Sequence, residues 1–168
     1  MSIIGRGDVA QAITDKKGYT YFATGISNRT KITDRDREIE TFKIWNQSKI
    51  GMFVYISTLS VYYSESDYTR HKRDMEELVR SRFDNYCIFR IGNITWGSNP
   101  NTIINFLKDK IKNNEDMEIH NTSRYLIDKS EFTHWIDMIP PTGKHEMNCT
   151  GTRKTVSEIV EMIKANQL

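Results

Sequence analysis

The feature that most constrains this chain is an alternation: short apolar runs rich in β-forming residues are separated by segments whose apolar residues recur at helical spacing. The clearest run is Met52-Phe53-Val54-Tyr55-Ile56-Ser57, nearly unbroken in apolar character and therefore suited to a strand covered on both faces. Residues 2–4, 19–23 and 86–91 read as further strands. Helices are predicted over residues 8–17, stopped by Gly18, over 34–47, capped by Thr33 with Ile39, Phe42 and Trp45 along one side, and over 67–82. Further on, Asn99-Pro100 opens a helix reaching about Ile111, and residues 130–139 form another that Pro140-Pro141 ends. Thr155 and Glu158 make a capping box for a last helix with the stripe Val156, Ile159, Val160, Ile163. Strands separated by helices predict an α/β fold: one parallel sheet with helices on both faces, right-handed crossovers, and ligands bound beyond the carboxyl ends of the strands.

At 168 residues the chain suits one domain, able to bury a core without disulfides or a structural metal. Its net charge of +2 gives no reason to expect nucleic acid or an acidic membrane as a partner. The basic cluster Arg70-His71-Lys72-Arg73 is balanced by Asp67, Asp74, Glu76 and Glu77 and reads as a solvated helix face. Cys87 and Cys149 fit a reducing compartment, Cys87 as a buried thiol in an apolar run. With no signal peptide and no membrane span, a cytoplasmic location is expected. His71, His120, His134 and His145 lack metal-ligand spacing, and His145 with Cys149 is far short of a zinc set, so no metal is expected. Trp45, Trp96 and Trp135 read as core residues, with Trp96 alternatively flanking a ligand.

Gly5-Arg6-Gly7-Asp8-Val9-Ala10 places two glycines and a small residue between the first strand and the first helix. Small residues there allow backbone amides at a helix start to approach a pyrophosphate. The same pattern also makes a plain tight turn. Asp8 repels phosphate unless its carboxylate points away, and no acid-ended second strand follows about 20 residues later.

Tyr68 and Lys72 stand one helical turn apart on one face, together with Met75 and Val79. A nearby ammonium favours phenolate, so the pair predicts a phenol drawn toward neutrality and able to exchange a proton with a carbonyl or alcohol. Thr58, at the end of a strand, is suited to hold the same oxygen. Tyr125 and Lys129 share the spacing, but Tyr125-Leu126-Ile127 reads as a strand, where the two lie too far apart to cooperate.

Phe53-Val54-Tyr55-Ile56-Ser57-Thr58-Leu59-Ser60-Val61-Tyr62, with Tyr68, Lys72 and Glu76 beyond it, resembles the signature of the extended short-chain dehydrogenases/reductases, the sugar-nucleotide epimerases, dehydratases and reductases. The resemblance runs from Ile3 onward and is most specific from Phe53 to Gly97. It implies a single reduced Rossmann-like domain over residues 1–168, lacking the second and third strands of the usual fold, with a small substrate-side region from about residue 115. It implies catalysis by Thr58, Tyr68 and Lys72, and NAD or NADP held by Gly5, Gly7, Ala10, Ala23, Thr24, Lys72 and Asn93. Asn93 and Arg124 are implied to hold the substrate, a sugar nucleotide, with Arg124 on its diphosphate. The implied assembly is a homodimer formed by the helices over 34–47 and 67–82, with Ile44 and Leu78 at the interface. A non-catalytic module of the same fold, binding a nucleotide or a protein, remains the alternative.

Overall fold

In a computed structural model, residues 2–26, 32–119 and 122–168 are described; His120 lies outside them. Five strands form an all-parallel sheet in the order β1 (Ile3–Ile4), β2 (Tyr19–Phe22), β3 (Met52–Thr58), β4 (Tyr86–Ile91) and β7 (Lys144–Cys149). A smaller sheet joins β5 (Asn93–Ile94), β6 (Ser123–Ile127) and β8 (Thr152–Thr155). The helices are α1 (Asp8–Ala12), α2 (Asp34–Trp45), α3 (Asp67–Arg82), α4 (Ile103–Lys112), α5 (Lys129–Asp137) and α6 (Val156–Lys164). None is long and apolar enough to cross a membrane.

The pleat of β2 to β4 divides the core. Tyr19, Tyr21, Val54, Cys87 and Phe89 face α1 and α5, where they meet Ala12, Phe132 and Ile136. Phe22, Phe53, Tyr55 and Ile88 face α2 and α3, against Ile44, Met75 and Val79. A third cluster packs α4 and α6 onto Leu126 of the small sheet. Helices thus cover both faces of the parallel sheet, as the alternation of runs predicts.

In the doubly wound plan, strands two and three lie beyond strand one, in the order 3-2-1-4-5-6. Among the described residues no strand lies beyond β1, which is the edge of the sheet, and β2 takes the place of the fourth strand. Loss of those strands has a geometric consequence. The connections β1–α1–β2 and β2–α2–β3 step the same way across the sheet, yet α1 and α2 lie on opposite faces. They must therefore have opposite hands, so the expected right-handed rule fails for one of them. The same arrangement preserves the crevice: chains leaving adjacent strands diverge to opposite faces and leave a gap between the ends of β1 and β2.

Several sequence expectations need correction. Helix α1 ends at Ala12 rather than running to residue 17, because Ile13 takes extended backbone and buries its side chain against the sheet. Helix α4 is capped by Thr102, whose hydroxyl accepts from Asn105 N; the Asn99 side chain instead accepts from Asn101 N in the preceding turn. On α2 the stripe Ile39, Phe42 and Trp45 is exposed, and the inward residues are Glu40 and Ile44. Ile44 is wholly buried in the core, so it cannot also form an intersubunit surface. Trp45 and Trp135 are exposed, Trp45 lying under the Arg82 guanidinium. Strands β7 and β8 carry no continuous apolar run; β7 is an edge strand fixed by backbone pairing to β4.

Candidate active site

A cleft of about 1040 Å³ opens beyond the carboxyl ends of β1 to β4, bounded on its far side by α4 and β6. Gly7, Ala23, Thr24, Thr58, Tyr68, Lys72, Asn93 and Arg124 all line it. Gly5 and Ala10 lie behind the glycine turn. Gly5 has φ +144°, and a Cβ on it would fall 2.4 Å from the Ala23 carbonyl oxygen and 3.1 Å from the Ala10 Cβ. Both small residues let β1, α1 and the end of β2 close together. At Gly7 a Cβ would meet nothing within 4 Å, so this residue keeps the turn open toward the cleft.

Asp8 is turned away from that turn. Its carboxylate accepts from Asn99 N at 3.0 Å and fills the space that a side chain at Gly97 would need, while its carbonyl accepts from the Trp96 indole. Asp8 still lines the cleft, with its carboxylate held by the Asn99 amide of the loop after β5. Trp96 packs on Phe132, and its role is to brace this loop.

Thr58 closes β3 and caps the 3₁₀ turn Leu59–Tyr62, accepting from Ser60 N at 3.2 Å. The Tyr68 phenol, on the first turn of α3, lines the cleft with Thr58 and is influenced by the Thr58 hydroxyl and by Lys72. Its titration differs from the sequence expectation. Burial raises it, the Lys72 charge and the Thr58 hydroxyl lower it, Glu40 raises it again, and the net direction is upward. The cation beside the phenol is matched by an anion that the sequence reading left out.

That anion is Glu40, 2% exposed on the inner face of α2. Lys72 Nζ donates to the Tyr55 hydroxyl at 2.9 Å and lies 3.5 Å from Glu40 Oε1. Tyr55 donates to Glu40 Oε1 at 2.9 Å, the His71 ring Nε2 lies 3.0 Å from Oε2, and Ile26 N donates to Oε2 at 3.0 Å. Burial alone would raise the Glu40 carboxyl, but Lys72, His71 and Ile26 together hold it at about 2. The buried Tyr55 phenol is raised, by burial first and then by Glu40.

Glu76 faces the other way. It accepts from Ser57 Oγ at 2.6 Å and Arg90 Nε at 2.9 Å, and Arg90 continues to Glu146 on β7 at 2.8 Å. This buried group ties α3 to β3, β4 and the edge strand. Asn93 Nδ2 donates to Tyr125 O at 3.2 Å, and Arg124 donates to the Ser123 carbonyl at 3.0 Å from the wall of the cleft. Tyr125 sits in β6 and Lys129 begins α5, so that pair does not share a helix. The cysteine thiols are both buried, and burial pushes each up to about 12.

Glu40, Tyr55, His71 and Arg90 were not singled out from sequence as partners of the site. A signal existed for Glu40: it lies four residues before Ile44, one turn away on the same helical face.

This arrangement is that of a Rossmann-like α/β domain cut short on one side of its sheet. Solved structures with the same Rossmann-like fold include the following. The Bordetella bronchiseptica enzyme WbmG in complex with NAD matches with a TM-score of 0.71 at 13% identity, over 88% of this chain and 55% of that one. WbmH of the same organism, in complex with NAD+, gives 0.72 at 14%, over 88% and 58%. A UDP-glucuronic acid 4-epimerase variant from Bacillus cereus, in complex with a fluorinated UDP-sugar and NAD, gives 0.72 at 15%, over 95% and 62%. The chain therefore spans a little over half the length of these proteins, and at such identities the likeness establishes the fold. No protein-family model and no curated protein sequence matches the chain.

Proposed function

We propose that this chain is a reduced extended short-chain dehydrogenase/reductase that binds NAD or NADP and acts as an oxidoreductase or epimerase on a sugar nucleotide. The observation that carries the reading is the convergence of Thr58, Tyr68 and Lys72 on one cleft with the open turn at Gly7. The residues fit such a cofactor on the pyrophosphate and nicotinamide side: Gly7 leaves room for an anion, the Asp8 carboxylate is engaged by the Asn99 amide, and Ala23, Thr24 and Asn93 border the space beyond. The bound nicotinamide would supply hydride exchange. Tyr68 would give or take the proton at the reacting oxygen, and Thr58 would hold that oxygen. The Lys72 ammonium has three donors, of which one is given to Tyr55 while Glu40 lies at ion-pair distance, so a donor is free for a ribose hydroxyl. Arg124 would clamp the substrate diphosphate through its planar fork.

Among the described residues no strand lies beyond β1 to form an adenosine pocket, so affinity is expected to come mainly from the pyrophosphate and nicotinamide. Calorimetry with millimolar NAD, NADP and ADP-ribose tests the cofactor assignment. Heat is expected with wild type and should be lost in Gly7→Asp, which adds bulk and charge to the open turn. No heat with any of the three removes the cofactor from the proposal.

A catalytically silent nucleotide-binding module is the second reading, favoured by one observation: the Tyr68 phenol is raised and the Lys72 charge is matched by Glu40. We also propose a homodimer in which α2 and α3 pair with their copies, since Ile39, Phe42 and Trp45 leave an apolar stripe on the outside of α2. A monomer mass by light scattering at high protein concentration would sink that assembly.

A further inference from the structure

Glu40 belongs to α2, which supplies no other buried polar residue, yet its carboxylate is bound from three elements around the cleft. Ile26 N reaches it from the loop after β2, Tyr55 from β3, and His71 and Lys72 from α3. The fit is close. Gly25 has φ +130°, and a Cβ there would lie 2.6 Å from both carboxylate oxygens, so the loop bordering the cleft is shaped around Glu40. Burying a carboxylate and an ammonium costs several kcal/mol per ion before pairing, and apolar residues of similar volume would fill the site at less cost. A neutral packing residue would serve if filling space were the whole requirement.

We propose that Glu40 is a positioning residue: it fixes the Lys72 ammonium against Tyr55, anchors the Gly25–Ile26 loop, and makes the charge facing Tyr68 that of an ion pair rather than of a lone cation. The groups facing Tyr68 are Lys72 from its own helix, Glu40 from α2, and the Thr58 hydroxyl and Tyr55 phenol from β3. Those facing Glu40 are His71 and Lys72 from α3 and Tyr55 from β3, and Glu76 of α3 also acts on Tyr55. Lys72 lowers the Tyr68 phenol and Glu40 raises it. Without Glu40, the phenol keeps the cation and loses the opposing anion.

The inference rests on the roles given above to Tyr68 and Lys72, but its test needs no turnover. Tyrosine labelled with ¹³C at the ring ζ carbon is titrated by NMR through the alkaline range, the Tyr68 signal being assigned by its loss in Tyr68→Phe. In Glu40→Gln the Tyr68 midpoint should lie below that of wild type. A packing role alone would lower the melting temperature and leave the two curves superimposed, and superimposed curves overturn the proposal. If Glu40→Gln does not fold, the same charge is removed beside Lys72→Met. Tyr68 should then titrate lower in Glu40→Gln/Lys72→Met than in Lys72→Met alone, and equality overturns the proposal. A fully active Tyr68→Phe protein would remove the catalytic assignment and leave this titration result standing, so the two failures are distinguishable.

Discussion

Acid should unfold this protein partly through a single carboxylate. Glu40 titrates at about 2 in the folded state against an ordinary 4.5, because its buried oxygens are held by Lys72, His71 and the Ile26 amide. A depressed carboxyl contributes stability that is fully present above the unfolded value and is lost as pH falls through the folded one. The window is therefore about pH 4.5 down to about 2. At ~1.4 kcal/mol per unit, this amounts to roughly 3 kcal/mol. A protonated glutamic acid is sterically close to glutamine, so Glu40→Gln should imitate the acid state at neutral pH. The independent figure for breaking a buried pair, about 3–5 kcal/mol, agrees. Urea unfolding of both proteins from pH 7 to pH 2 measures the gap directly. Glu146, also held at about 2, is 40% exposed and screened, and it is common to both proteins, so its share cancels from the difference. The gap should be roughly 3 kcal/mol at neutral pH, worth about 10 °C in melting temperature for a chain of this size, and should close toward pH 2. A gap that stays constant with pH, or one under ~1 kcal/mol at pH 7, would refute the reasoning.

Two further outcomes test the active-site assignment. Tyr68→Phe keeps the ring on α3 and removes the hydroxyl that meets Thr58, so the melting temperature should barely move while turnover falls by a factor on the order of 10²–10⁴; unchanged turnover on any substrate the wild type accepts removes Tyr68 from the mechanism. Arg124→Lys keeps the charge but loses the planar fork, so KM for a sugar nucleotide should rise several-fold at unchanged thermal stability, and an equal KM would return Arg124 to a structural role.

Local and periodic signals carried what was legible in the chain before folding. The unbroken apolar run of β3 required burial on both faces, the Thr33, Thr155 and Glu158 caps fixed helix starts, and the short path from the glycine turn to Tyr19 left no room for two more strands. Most residues lining the cleft were legible for the same reason, since they lie at or just after the end of a strand or on the first two turns of α3, whereas Arg124 stands near the start of β6. Which of the two candidate faces of α2 turns inward, the stripe of Ile39, Phe42 and Trp45 or that of Glu40 and Ile44, was settled by packing. Its apolar stripe predicted Ile39, Phe42 and Trp45, but the inward face carries Glu40 and Ile44, with Glu40 3.5 Å from the Lys72 ammonium. Strands β7 and β8 were likewise fixed by backbone pairing with distant partners, which leaves little trace in side-chain hydrophobicity. The charge at Tyr68 depends on a carboxylate 28 positions earlier in the chain, and a Coulomb interaction follows distance in space rather than spacing in sequence.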